Sequence, residues 1–504
     1  MKGTSLTAIA IAVAALVGGP ARAEDLLQTY REARGYDAQY AAALASLDAG
    51  REKRPQGLAL LLPTVNAGAN TNWNVLDQNV PPPPRVPGQR TTFDYNSNGW
   101  FATLTQPVFR WQNIVQYQQS EFQVMQAEAQ FANAAQDLIV RTAQAYFDTL
   151  AAQDNLDFVR SQRRAIAEQL AQAKRNFEVG TATITDTNEA QARFDLNTAQ
   201  EIAALNDLEV RRRALTQLIG RLPERLAPLR SGVLLEVPGP NNLDEWSAAA
   251  AGQNYNVRVQ EAAWEIAKKE IERQRAGHLP TLDAVATYQQ NTGQNIALLA
   301  GTRTQVDQQI YGLQVNVPIF AGGSVLSRTR EAAANAEKAR QDLESARRVA
   351  TLDAQRSFLS VSNGLAQVKA LEQALVSSEV SLASNRVGYE VGVRINIDVL
   401  NAEQQVTSTR RDLSRSRYDT ILNGLKLKAA TGTLSEEDVV RVNQLLGPEI
   451  VLTTQLSPVT PPAPPAPRAP ETPSGAASKT NASPPPATPA GTTPGATPSK
   501  PVRK

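Results

Sequence analysis

Cysteine is absent from this 504-residue chain, and histidine occurs once, at position 278. These absences exclude disulfides, thiol catalysis and metal sites built from cysteines or several histidines. Aromatic residues contribute only 5% of the sequence, which is too few for one large globular core. Because alanine and glutamine are abundant instead, the composition favours long helices that pack through small side chains.

An excess of charge of either sign is also missing, with 51 Lys and Arg residues against 49 Asp and Glu residues. A nucleic-acid-binding protein would show a clear basic excess. The sequence has neither a glycine-rich phosphate loop nor a Ser, His and Asp constellation, and His278 is expected to lie at the surface. We therefore expect a protein that is not an enzyme and that needs no cofactor or metal.

Long apolar runs are missing too, apart from one at the N-terminus. Residues 1–23 contain Lys2, an apolar run from about Ala8 to Val17, and small residues at Ala21 and Ala23. This pattern is typical of a secretory signal peptide, and the run is too short to span a bilayer as a helix. No cysteine follows that could carry a lipid anchor. At the other end, residues 457–504 are rich in Pro, Ala, Thr and Ser and are predicted to be a disordered tail.

Glycine and proline are both absent between Pro107 and Gly180. We therefore predict a helix over about 112–178, which at 1.5 Å per residue is on the order of 100 Å long. Such a helix needs partners along its whole length. After the turn Phe177-Glu178-Val179-Gly180, a second helix over about 187–219 is expected to return antiparallel to the first.

The second half of the chain repeats the first. The turn recurs 212 positions later as Tyr389-Glu390-Val391-Gly392, and Asp186 recurs as Asp398. Pro107-Val108-Phe109 likewise recurs as Pro318-Ile319-Phe320. The chain is thus predicted to be an internal duplication, each half consisting of helix, strand, strand, long helix, turn and helix.

The boundaries of these elements follow from the same signals. The first half, 24–220, is predicted to contain a helix that Pro55 ends, strands over about 62–75 and 100–109, and helices over 112–178 and 187–219. A proline-rich linker, 221–241, follows. The second half, 242–432, is predicted to contain a helix over about 243–277, strands over about 282–290 and 310–320, and helices over 324–386 and 398–431, followed by a segment over 433–456.

The predicted strands alternate apolar and polar residues. Tyr311, Leu313 and Val315 share one face, and Gln314 and Asn316 share the other. Four strands cannot close a barrel, because the smallest outer-membrane barrels have about eight. Either the strands pack on the chain's own helices, or several chains contribute to one barrel. The helices of roughly 100 Å that follow the strands make folding back awkward and favour the shared barrel.

These features together resemble the TolC family of outer-membrane efflux channels. The motifs that carry the resemblance are the run Pro318 to Gly323, the second turn with Arg394 and Asp398, and the segment Thr431 to Asp438. The resemblance covers about residues 24–450. It implies a mostly α fold with a small β part, in which duplicated long helical hairpins from three chains form a periplasmic α-barrel. That α-barrel is expected to join a 12-stranded transmembrane β-barrel with four strands per chain.

The family also implies a function and partners. It suggests a homotrimer in the outer membrane of a Gram-negative bacterium that is the exit duct of tripartite efflux pumps, of type I protein secretion, or of both. Its expected partners are a periplasmic adaptor (membrane fusion) protein and an inner-membrane RND or ABC transporter. The alternative from another functional class is a soluble periplasmic helical scaffold or adaptor protein.

The resemblance places the turns at Gly180 and Gly392 at the periplasmic tip, where the channel closes. It assigns Tyr389 and Arg394 to a latch whose partners are Asp186 and Thr185. Asp398 resembles an acidic ring at the constriction, and Asn401 stands where the family has a second acidic residue, so weaker cation binding is expected. On the residues alone, Asp186 and Asp398 could instead be plain helix N-caps, and Arg394 could be a solvated arginine.

Overall fold

The computed structural model describes residues 25–80, 89–230, 232–294 and 303–452. The predicted signal peptide and the predicted tail lie outside the described residues. The first half contains α1 (Leu26–Tyr36), α2 (Ala38–Arg51), α3 (Lys53–Ala59), β1 (Thr64–Val80), β2 (Gln89–Phe109), α4 (Trp111–Glu178) and α5 (Ile184–Ile219).

Among the described residues, the second half repeats the order of short helices, two strands and two long helices, with two short helices where the first half has three. After a short strand β3 (Arg225–Leu226) come α6 (Leu243–Gln253), α7 (Tyr255–Arg275), β4 (Thr281–Gln294), β5 (Arg303–Asn316), α8 (Ser324–Glu390) and α9 (Asn396–Ala430). The described part of the chain closes with α10 (Glu436–Asn443) and β6 (Ile450–Val451), which pairs with β3. The prediction of a mostly helical fold with a small β part is confirmed.

Two long helical hairpins dominate the architecture. Helix α4 pairs with α5, and α8 pairs with α9, while α9 also packs on α4. At the end of the hairpins nearer the strands, α7 lies against both α4 and α8. The long helices therefore have partners along their length, as their size requires. None of the helices in the described ranges combines the length and apolar character needed to cross a bilayer.

The strands form one antiparallel sheet in the order β1-β2-β4-β5, so the β2–β4 pair joins the two halves. The register aligns Leu282 with Val315 and Ala284 with Leu313 on one face, and Asp283 with Gln314 on the other. The sheet therefore has an apolar and a polar face, as the alternation predicts. Strands β1 and β5 form its two edges.

The strands differ in extent from the prediction. They run further from the helices than expected, to Val80 and Gln294. The sequence pattern did not indicate these ends, because most of the outer residues are polar and the alternation is weak there. Strand β5 ends at Asn316 and not at residue 320. Pro318 cannot donate a ladder hydrogen bond, and Gly322 and Gly323, with φ of 59° and 80°, turn the chain into α8.

The main core lies where α1, α4, α5, α9 and the segment after α9 meet. Tyr146, Phe147 and Leu150 of α4 are fully buried there. The Tyr146 hydroxyl donates to the Ala227 carbonyl at 2.8 Å and accepts from the Ala227 N–H at 3.0 Å. Because this hydroxyl satisfies both polar groups, the linker is fixed to the middle of the first hairpin.

Two predicted helices are broken. The first is divided into α1, α2 and α3, with the Asp37 carboxylate accepting from the Tyr40 N–H at the start of α2. Pro55 does not end a helix, because it occupies the first turn of α3, where its missing N–H has no intrahelical acceptor. The predicted helix over 243–277 breaks at Asn254, whose Oδ1 caps α7 and whose Nδ2 donates to the Ala430 carbonyl at 2.8 Å.

Candidate functional site at the two helix turns

The two turns between long helices have the same backbone geometry. Val179 and Val391 both have φ −88° and ψ 3°, and the glycines that follow, Gly180 and Gly392, have φ 77° and 76°. This left-handed conformation favours glycine, which has no Cβ to clash. In each turn the N–H two residues after the C-cap bonds back to a helix carbonyl at 2.8 Å, Thr181 to Asn176 and Val393 to Gly388. Both helices thus end in a Schellman motif.

The helices that leave the turns begin differently. Thr183 is the N-cap of α5: its hydroxyl accepts from the Asp186 N–H at 3.2 Å, and the Asp186 carboxylate accepts from the Thr183 N–H at 3.0 Å. Helix α9 starts after Ile395, which offers no capping side chain. Neither Asp186 nor Asp398 is therefore an N-cap, so that interpretation of the sequence was wrong. Asp186 is held by its own turn, whereas the Asp398 carboxylate is not used for capping.

Asp398 is paired with Arg394 instead. Arg394 Nη1 lies 3.6 Å from Asp398 Oδ2, and both side chains are partly exposed. Water screens such a pair, so it contributes at most about 1 kcal/mol to stability. The Arg394 stem runs over Gly388, where a Cβ added to the glycine would lie 2.7 Å from Arg394 Cγ. Gly388 therefore leaves room for the arginine to lie along the end of α8.

Two polar contacts join the hairpins near their turns. Asn176 Nδ2 donates to the Tyr389 hydroxyl at 3.4 Å, and Arg193 Nη2 donates to Asn401 Oδ1 at 3.2 Å. The Tyr389 ring also packs against the small apolar cluster that Leu382 and Val399 form between α8 and α9. The ends of the two hairpins are therefore held together by side chains from both halves of the sequence.

The latch partners expected from the resemblance are not joined within one chain. Among the described residues, Tyr389 contacts Asn176, Arg394 faces Asp398, and Asp186 bonds to Thr183. The pairs Tyr389 with Asp186 and Arg394 with Thr185 stay predictions for the assembled form. The sequence alone does not indicate roles for Asn176 or Arg193. The amide at Asn401, in place of an acid, was the one signal that a different partner faces that position.

Apolar side chains are exposed around the turns. Val179, Val391 and Val393 are 73%, 67% and 78% exposed. Within the described ranges no group of three or more His, Cys, Asp or Glu side chains is placed to hold a metal ion. The arrangement offers polar interhelical contacts, partly exposed carboxylates at Asp186 and Asp398, and an apolar rim, which suit a mechanical contact surface.

Comparisons with known proteins agree with the duplicated architecture. The family model described as "Outer membrane efflux protein" matches residues 29–221 and 246–433, one segment in each half. The chain is 33% identical to outer membrane protein TolC of Vibrio cholerae over 84% of this chain and 93% of that protein. It is also 33% identical to the proteases secretion protein PrtF of Dickeya chrysanthemi, over 85% of this chain and 93% of that protein. Among solved structures, the Campylobacter jejuni CmeC outer membrane channel covers 83% of this chain, with 89% of its own chain matched, 16% identity and a TM-score of 0.69.

Proposed function

This chain belongs to the outer membrane efflux protein family, and from that membership we propose that three copies form a channel through the outer membrane of a Gram-negative bacterium. The channel is the exit duct of tripartite efflux pumps and of type I protein secretion. Relatives whose names refer to protease secretion, PrtF and AprF, match 85% and 82% of this chain, against 84% for TolC of Vibrio cholerae. We therefore assign to the channel both the export of pumped small molecules and the secretion of proteins.

The observation that carries the trimer is the isolated four-stranded sheet. Its edges, β1 and β5, have no strand partner among the described residues, and unpaired edges are a liability that a closed barrel removes. Pairing β5 of one copy with β1 of the next is antiparallel, because β1 leads away from the helices and β5 leads back to them. Three copies would then supply the 12 strands of one closed barrel.

The two faces of the sheet fit this arrangement. Val65, Trp73, Tyr311 and Leu313 lie on the apolar face and are strongly exposed in the single chain. The opposite face carries polar side chains, among them Asn66, Asn70, Asn72 and Thr103. An apolar exterior against lipid and a polar interior against water are what a transmembrane barrel needs.

The hairpins would then form a periplasmic tunnel that ends at the two turns. We assign its opening to the latch residues Tyr389, Arg394, Thr185 and Asp186, with Asp398 and Asn401 at the constriction. A periplasmic adaptor protein would contact the exposed apolar rim of the turns, and an inner-membrane RND or ABC transporter would supply the energy. The channel itself would be a passive conduit that catalyses no reaction.

The test is fractionation followed by electrical recording. The full-length protein, expressed in a Gram-negative host, should sediment with the outer membrane and run as a heat-resistant trimer on unboiled SDS gels. The purified trimer should then give discrete conductance steps in a planar lipid bilayer. A monomer that stays in the periplasmic extract without detergent would sink this proposal and favour the helical scaffold.

A further inference from the structure

The contact between Arg193 and Asn401 has no counterpart in the latch that the resemblance implies. Arg193 lies on α5 and Asn401 on α9, so this hydrogen bond of 3.2 Å joins the two hairpins. Arg193 is largely shielded, and its guanidinium also lies 3.7 Å from Glu189 one turn earlier on α5. The arginine is thus held in place from two sides, by an amide and by a carboxylate.

This guanidinium lies close to the proposed acidic ring. Asn401 follows Asp398 by three residues on α9, and residues with this spacing are neighbours on one helix face. Asp398 itself faces Arg394 at 3.6 Å. The group therefore contains two guanidiniums, Arg193 and Arg394, and two carboxylates, Glu189 and Asp398, so that its charges balance.

The side chain at position 401 determines how much of the positive charge of Arg193 acts on the acidic ring. An aspartate there would have a carboxylate oxygen about where Asn401 Oδ1 now accepts the hydrogen bond, and it would form a charge-assisted pair with Arg193. Arg193 would then neutralise that carboxylate and would no longer offset Asp398. With the amide in place, only Glu189 opposes the arginine.

We infer that Arg193 is a specificity-determining residue of the proposed constriction, where its guanidinium offsets the acidic ring so that the channel binds divalent cations weakly. This inference rests on the proposed channel function. It extends the expectation drawn from Asn401, because it assigns the weak binding to an arginine as well as to a missing carboxylate. Binding of cations to a ring of carboxylates depends on net local charge, which Arg193 and Asn401 set together.

The experiment is a double-mutant cycle in single-channel recordings, with Mg²⁺ added on the side of the turns as the probe. Asn401→Asp alone should lower the half-blocking Mg²⁺ concentration by about threefold, because Arg193 then pairs with the new carboxylate and no longer offsets Asp398. The double variant Arg193→Gln/Asn401→Asp should lower that concentration about tenfold, because it makes the local charge more negative by two units. Arg193→Gln alone should lower it by about threefold as well, because it removes one positive charge from the same group.

The control is Arg330→Gln, which removes an exposed charge about 60 residues from the second turn along α8 and should leave block unchanged. Heat-resistant trimers on gels check that each variant assembles. If Asn401→Asp alone gives the full increase in block, or if the double variant gives none, the inference is overturned while the channel stands. If wild-type trimers do not conduct at all, the proposed function fails and the inference fails with it.

Discussion

At the scale of single residues, Asp154 is the side chain whose charge the fold most clearly opposes. It lies on α4, and its Oδ2 accepts from the Tyr418 hydroxyl on α9 at 2.8 Å. Burial raises the pKa of Asp154 to about 6, an effect that the hydrogen bonds from Tyr418 and Ser414 reduce and the nearby Asp157 increases. Burial is also the largest cause that raises the pKa of Tyr418, and the negative charge of the adjacent Asp154 raises it further. The tyrosine therefore remains a hydrogen-bond donor.

This pKa makes the hairpin contact sensitive to pH. The folded chain binds the Asp154 proton more tightly than the unfolded chain does. Protonation of Asp154 therefore stabilises the folded state fully below about pH 4, and this stabilisation is lost as the pH rises through about 6. Asp154→Asn keeps an acceptor for Tyr418 and removes the charge. We expect it to raise the free energy of unfolding by roughly 1–2 kcal/mol at about pH 8 and to change it little at about pH 4.

The measurement is the Tm of detergent-solubilised trimers at those two pH values. Asp353→Asn is the matched control, because Asp353 is exposed on α8, and it should leave the pH dependence as in the wild type. If the Tm of Asp154→Asn differs between the two pH values as much as the Tm of the wild type does, ionisation of Asp154 does not destabilise the folded protein.

At the scale of elements, the junction between strands and helices depends on one ion pair. Arg110, directly before α4, donates from Nε and Nη2 to the two carboxylate oxygens of Asp283 on β4 at 2.7 and 2.6 Å. Asp283 is buried, whereas the Arg110 side chain is 40% exposed. This bidentate pair connects the start of the first long helix to a strand of the second half.

Removing one partner should loosen this junction. We expect Asp283→Ala to lower the free energy of unfolding by roughly 1–3 kcal/mol, less than for a fully buried pair because water reaches Arg110. The denaturant midpoint of the trimer measures this change. Asp307→Asn, an exposed position nearer the outer end of the same sheet, should shift the midpoint much less, and an equal shift in both variants would argue against a special role for the pair.

The same elements show how far the sequence determines the fold. The ends of α4, α5, α8 and α9 lie within a few residues of their predicted positions, because glycine and proline mark them directly. The breaks at Asp37 and Asn254 were not predicted, because a capping side chain looks like any polar residue until the backbone N–H groups that donate to it are known. The contacts of Asn176 and Arg193 were missed for the same reason, since they join residues about 210 positions apart.

At the scale of the whole molecule, we expect the edge strands β1 and β5 to pair with strands of neighbouring copies. Val65 on β1 and Leu313 on β5 both point to the apolar face, since the register places them on the same side of the sheet. Asn66, one residue further along β1, points to the opposite face. In an antiparallel pair between copies, side chains on the same face come within reach of a disulfide.

The absence of native cysteine makes this prediction clean to test. Val65→Cys combined with a cysteine at Tyr311, Leu313 or Val315 samples three registers on the apolar face. One of these double variants should give a covalent trimer on oxidation, seen on boiled, non-reducing SDS gels. The matched control, Asn66→Cys with Leu313→Cys, should stay monomeric after boiling because its thiols lie on opposite faces. If all three double variants fail to cross-link in intact membranes, β1 and β5 of neighbouring copies do not pair. The two edge strands must then be covered in another way.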